Sequence, residues 1–306
     1  MTTKNKLHYF GLLALIIVMV LAACPVDPAS EKGTETLTIS GQVNERKPNE
    51  ALMGLLDLED TENLDIFSLM GVLSDELISY IPINGNMTVS DGGMGGTGQI
   101  ENGRLSYSIQ KPADEAFVSV TEYIGVLTQM LGEYLSDEIL AELGIPALSE
   151  LYANIKNIKI SPADTRAAPL ILLINNDAYS FIDRELIKNT FSIGNLTITV
   201  EGVGYVYVDK KATITAKGAS ITELPELPVN LTLPNISLNL KKGWNALGVK
   251  VTVTAKMIPS LSISGKVEYS CRQPSKVSDS LKWVANPPIE SSEESLVPPA
   301  FPVPVE

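Results

Sequence analysis

The sequence predicts an α+β protein with a β-sandwich-like carboxy-terminal half and an amino-terminal half of strands with helical insertions. Three observations carry this. From Phe191 to Val284 the chain is mostly short alternating segments punctuated by turn residues. Before them, two stretches repeat apolar residues three and four positions apart, the period of an amphipathic helix. The 306 residues are 44% hydrophobic and 19% charged, the balance of a chain that buries a substantial core.

The order of elements begins with MTTKNKLHYFGLLALIIVMVLAAC. Lys4 and Lys6 precede an apolar run from Gly11 to Leu21 that is short for a bilayer span, and small residues lead to Cys24. Leu21-Ala22-Ala23-Cys24 resembles the lipobox of bacterial lipoproteins. The resemblance implies that signal peptidase II removes residues 1–23 after the Cys24 thiol has received a diacylglycerol. Loss of Lys4 and Lys6 would then take the formal charge from −13 to −15. Two or three acyl chains hold a protein stably where one is marginal. An acidic body is repelled by anionic head groups, so the lipid is expected to provide the attachment. Pro25 rather than Asp follows Cys24, which by analogy with enterobacterial sorting permits the outer membrane, with the inner membrane left open.

Residues 24–36 are polar and read as a tether, with the fold starting at Leu37 in the alternating run Leu37-Thr38-Ile39-Ser40-Gly41-Gln42-Val43. The spacing of Ile66, Leu69, Met70, Leu73, Leu77, Tyr80 and Ile81 predicts a helix ended by Pro82. Residues 86–109 return to period two. Asn102-Gly103 is a hairpin signal, and Asp91 to Gly96 is a turn-rich break. A second helical pattern runs from Leu127 to Leu143, stopped by Gly144 and Pro146, and continues from Leu148 to Ile155. Ala163 to Pro169 suggests a boundary, dividing an α+β region at 37–165 from a β-rich region at 166–285. Leu170 to Ile174 suggests a buried strand. The prolines of Leu224 to Pro234 suit an edge or surface run. The tail, 286–306, has six prolines, four acids and no Lys or Arg, the composition of a disordered segment.

Strands Tyr205-Val206-Tyr207-Val208 and Ala212-Thr213-Ile214-Thr215, with the turn Lys241-Lys242-Gly243-Trp244-Asn245, resemble uncharacterised envelope lipoproteins of spirochaete type. The resemblance implies an envelope location and a β-rich fold, and brings no catalytic residue with it. Leu261-Ser262-Ile263-Ser264-Gly265-Lys266-Val267 echoes residues 37–43, which reads as two similar strands rather than a duplication.

Composition excludes several chemistries. The sole histidine, His8, lies in the signal segment, so the processed chain has no Ser-His-Asp or Cys-His site and no histidine-ligated metal. With Cys24 acylated, Cys271 has no partner for an intramolecular disulfide and reads as a buried structural thiol. The acidic balance excludes a polybasic nucleic-acid binder.

Four motifs remain. Asp57, Glu59, Asp60 and Glu62 lie in an acidic run whose oxygen ligands could hold Ca²⁺, although EF-hand spacing and its central Gly are absent and a solvated loop or helix end accounts for them better. The run Gly92 to Gly98 could cradle a phosphate through backbone N–H groups, or simply turn the chain. Ser108-x-x-Lys111 matches one motif of penicillin-recognising hydrolases without its companions. Trp244 could offer an aromatic face to a glycan or protein, with packing as the alternative.

These readings combine into a lipid-anchored envelope protein that binds or scaffolds, with no cofactor, no catalytic residue assigned and no nucleic-acid partner. Its partners are the membrane, through Cys24, and an envelope protein or glycan. The alternatives are a carboxylate-dependent, glycosidase-like hydrolase, which requires a pair of acids with at least one raised pKa, and a carrier of lipid or another apolar ligand, which requires an open apolar cavity.

Overall fold

The computed structural model describes residues 34–49, 77–122, 157–175, 178–192, 194–221, 229–256 and 262–287. Strands account for 67% of them. In chain order these are β1 (Leu37–Pro48), β2 (Ile78–Pro82), β3 (Met87–Ser90), β4 (Thr97–Glu101), β5 (Arg104–Ile109), β6 (Val118–Ser119) and β7 (Lys159–Ser161). Then come β8 (Arg166–Leu170), β9 (Leu172–Ile174), β10 (Phe181–Ser192), β11 (Asn195–Val208), β12 (Ala212–Ala216) and β13 (Ala219–Ile221). The last are β14 (Val229–Leu233), β15 (Ile236–Leu240), β16 (Gly243–Lys256), β17 (Ser262–Arg272) and β18 (Lys282–Asn286).

Fifteen strands form one mixed sheet and three form a second. Seven of the fifteen close on themselves in the order β10-β18-β1-β5-β4-β3-β9, because β9 pairs with β3 on one side and with β10 on the other. The ring interior holds Leu37, Ile39, Val43, Ile100, Leu105, Tyr107 and Trp283 in one buried cluster. Alternation places them there: β5 reads exposed-buried through its six residues, with Leu105, Tyr107 and Ile109 inside. Gly41 makes room for Trp283, since a Cβ at position 41 would lie 2.7 Å from the indole Cδ1.

Beyond the ring, β10 continues into an antiparallel ribbon with β11, β16 and β17, edged by β14 and β13. At the fork, β11 leaves β10 and takes β8 as its neighbour, while β9 takes the vacated side of β10. The small sheet, β7-β12-β15, covers one end of the β11 face, where Ala212, Leu240, Ile160 and Ile214 pack on Val206, Val208, Leu247 and Cys271.

The α+β expectation is therefore corrected: two thirds of the described residues are strand and 5% are helical, with no helical layer among them. The helix predicted over 66–81 fails where its end is described, because Ile78–Pro82 is a strand antiparallel to β1. Leu77, Tyr80 and Ile81 fit a helical spacing, but Asn44 to Pro48 supplies a ladder for these residues that local sequence does not reveal. The remainder of that stretch, the pattern over 127–155 and the tail from residue 288 lie outside the described residues.

Other expectations shift in detail. The fold begins before Leu37, since Thr34 bridges to Trp244 and accepts its backbone N–H at 2.8 Å. The run Leu170 to Ile174 is not buried on both faces: Ile171 and Leu173 are 44% and 40% exposed. Strands from both sides of residue 165 share the large sheet, with β9 seated between β3 and β10. Prolines 228 and 234 bracket β14, which lies one strand in from the edge. Asn102-Gly103 forms the expected two-residue hairpin, both residues at positive φ (49° and 75°), between Glu101 and Arg104.

Candidate functional site

Strand β10 carries charge on both faces within three residues. Arg184 turns toward the ring interior, where its guanidinium lies 5.0 Å from the Trp283 ring and donates to the Tyr205 hydroxyl at 3.0 Å. Asp183 and Glu185 point the other way, since successive side chains alternate. Around them gather Arg46 of β1, Tyr80 of β2 and Asn286 of β18.

Glu185 is the centre of this cluster and is only 8% exposed. Arg46 Nη1 lies 3.4 Å from its Oε2, and the Tyr80 hydroxyl donates to its Oε1 at 3.4 Å. The Tyr80 oxygen in turn accepts the backbone N–H of Ile187 at 2.7 Å, which clips the β1–β2 ribbon onto β10. Arg46 Nη2 donates to Asn286 Oδ1. The buried Asn44 side chain donates to Trp283 O at 3.1 Å and so ties β1 to β18. Oδ1 of Asp183 is buried without a hydrogen-bond partner among the described residues.

Burial is the main force on these groups. It pushes the Glu185 carboxyl up to about 7, with the neighbouring Asp183 charge adding to the rise and Arg46 and Tyr80 opposing it. Burial also raises Asp183, against its hydrogen bond to Asn286 and the Arg46 charge. The Tyr80 hydroxyl is pushed up to about 12, again by burial first and by Glu185 second. Near neutrality the pair therefore holds a proton that it can also release, the property required of a general acid. Opposite Glu185 in the ladder is Gly202, and a Cβ built there meets nothing within 4 Å.

Sequence reasoning missed this cluster. The available signal was Asp183-Arg184-Glu185 inside the apolar flanks Phe181-Ile182 and Leu186-Ile187, a strand with ionisable groups on both faces. The motifs that were singled out have different fates. Asp57, Glu59, Asp60 and Glu62 lie outside the described residues, as does Cys24. Among the described residues no group of three or more His, Cys, Asp or Glu is placed to hold a metal.

Trp244 is 1% exposed, donates its indole N–H to Gln110 O at 2.9 Å and meets Tyr207 edge-on at 5.5 Å. Packing accounts for it. Asn245 locks the turn before it, accepting Lys241 N–H at 3.0 Å and donating to the carbonyls of Lys241 and Gly243, both at 2.8 Å. Three N–H groups of the glycine run are already engaged: the Asp91 carboxylate accepts those of Gly93, Met94 and Gly96 at 3.1, 3.0 and 2.6 Å, and the Tyr107 hydroxyl at 2.8 Å. An internal carboxylate occupies the position a phosphate would need. Ser108 lies in strand β5, not at a helix start, so Ser108 and Lys111 lack the helical geometry of the hydrolase motif.

Cys271 is partly buried near the end of β17, and burial pushes its thiol up to about 11. Compared with known proteins, the chain matches no family model, no curated protein and no solved structure.

Proposed function

We propose that the chain is a lipid-anchored envelope protein whose β-rich body acts by binding or scaffolding, held to the membrane through Cys24. The observation that carries this reading is the docking of Thr34 beside Trp244. The ten peptide links from Cys24 to Thr34 span at most about 35 Å, so the body works close to the lipid surface. The ring interior supports binding at the surface rather than carriage inside, since Tyr107, Ile100, Leu105 and Trp283 fill it. Ile171 and Leu173, exposed beside the fork, provide apolar contact area for a protein partner. Replacement of Cys24 by Ala tests the anchor. Incorporation of labelled palmitate and partition into the detergent phase should both be lost, and unchanged partition overturns the reading.

A second reading, carboxylate-dependent hydrolysis, is favoured by Asp183 and Glu185. Two neighbouring acids, one pushed up to about 7, meet the chemical requirement for acid catalysis. Its test is turnover of a panel of aryl glycosides by the wild type and by Asp183→Asn and Glu185→Gln. Hydrolysis lost in both variants, with melting retained, supports catalysis; no turnover by the wild type, or equal turnover in all three, ends it.

A further inference from the structure

We propose that the end of the fold where the chain enters at Thr34 is a docking surface for an anionic lipid head-group layer. The proposal rests on the lipid-anchor reading and adds a second, electrostatic attachment to it. Two turns lie side by side at this end, because Val208 pairs with Gly243 in the large sheet and Ala212 pairs with Leu240 in the small one. The first turn carries Lys210 and Lys211, the second Lys241 and Lys242. Arg272 ends β17 opposite Ala246, two residues from Trp244, the partner of Thr34.

The charges at this end are unequal. Lys111, Arg166 and Lys210 are each matched by an acid, Asp114 at 2.7 Å, Asp209 at 3.5 Å and Asp164 at 2.6 Å. Among the described residues Lys211, Lys241, Lys242 and Arg272 have no carboxylate partner, and all but Lys241 are exposed. Among the described residues Glu35, Glu115 and Glu122 are the acids nearby without a cationic partner, so the four unpaired cations exceed the unpaired acids by one, in a chain whose formal charge is −13. Chain connectivity makes this excess directional. The tether joins the body at Thr34, so the end with unpaired Lys and Arg is the part of the body attached nearest to the lipid. The repulsion expected of an acidic body then falls on the far side, beyond a Debye length of about 8 Å. Juxtamembrane cations act in this way on anionic leaflets, and an acyl anchor with a basic patch is a stable two-signal attachment.

The test uses the full chain with Cys24→Ala, mixed with vesicles of phosphatidylcholine alone or with about a third phosphatidylglycerol. Residues 1–23, with Lys4 and Lys6, add the same head-group preference to every variant, so the change in the ratio of partition coefficients between variants reads the patch. We expect a ratio of about tenfold or more at low salt, falling toward one at high salt. Replacing Lys211, Lys241, Lys242 and Arg272 by Gln should lower the low-salt ratio by about threefold or more. Replacing Lys188, Lys250, Lys256 and Lys266 by Gln, elsewhere on the ribbon, should leave it unchanged. A wild-type-like ratio in the first variant, or an equal fall in both, overturns the proposal. Palmitate incorporation into the chain with Cys24 intact reads the anchor separately, so loss of label there with a retained head-group ratio refutes the anchor and not the patch.

Discussion

Glu185→Gln isolates the energetic consequence of the buried acid pair. The Glu185 carboxyl is pushed from 4.5 to about 7 in the folded chain, chiefly by burial. A raised acid pKa means that the folded state binds the proton more tightly than the unfolded state. The resulting stability is fully present below the unfolded value and is lost as pH rises through the folded one. The shift of roughly 2.5 units corresponds to about 3 kcal/mol between pH 4 and pH 8. Gln keeps the shape and removes the ionisation, at the expense of the ion pair with Arg46 at 3.4 Å, a long contact to a guanidinium that is partly exposed. The variant should therefore match or fall slightly below wild type at pH 4.5. It should exceed it by about 3 kcal/mol at pH 8, because the value of about 7 already contains the Arg46 attraction. Urea or thermal melting of both proteins across this range is the assay, and the difference between them removes the contribution of every other titrating group. A difference that stays constant with pH, or that favours wild type more as pH rises, would refute the burial argument.

Other consequences can be measured on single variants. Asp91→Ala leaves three backbone N–H groups and the Tyr107 hydroxyl without their acceptor inside the ring wall, and should lower stability by about 2–4 kcal/mol in urea unfolding. Gly103→Ala places a Cβ 1.9 Å from Ile83 O at a φ of 75°, so melting should show a loss of about 2 kcal/mol or more, whereas Asn102→Gly should be nearly neutral. Cys271 should react with a disulfide reagent at pH 8 about 100-fold more slowly in the folded chain than in urea, because burial moves its thiol from 9.0 to about 11. Rapid labelling under native conditions would show that the β17 end opens.

The strand content, the Asn102-Gly103 hairpin and the Asp91 turn were legible because each is written in adjacent residues with a local physical cause. Positive φ favours Asn and Gly, and alternation marks a strand with one face buried. The helix predicted over 66–81 fails for a complementary reason. Leu77, Tyr80 and Ile81 satisfy spacings of three and four, but Asn44 to Pro48 takes residues 78–82 into a ladder, and that pairing has no local signature. The acid pair was invisible for the same reason. Asp183 and Glu185 look like ordinary surface acids in sequence, and become a proton-holding pair only when Tyr80 and Arg46, more than a hundred residues away, close over them. For Trp244 the turn Lys-Lys-Gly allowed either an aromatic face or packing, and Gln110 and Thr34, arriving from elsewhere, complete the packing.

These distant pairings also determine how the molecule must assemble. Val43 lies beside Trp283 in a parallel ladder, and the same β1 pairs with β5 on its other side. Closing the ring therefore requires the first and last described strands to meet, a long loop whose entropy must be met before the ladder forms. Once they meet, Gly41 receives the Trp283 indole, Asn44 bonds to Trp283 O, and Arg46 reaches both Asn286 and Glu185. Apolar packing, a buried amide and an ionic contact thus succeed one another along six residues of β1. The carboxyl with its pKa raised to about 7 sits at the last of these contacts. Its protonation is consequently coupled to the seam that joins the two ends of the chain, and a rise in pH loads charge onto the closure of the ring rather than onto a peripheral loop.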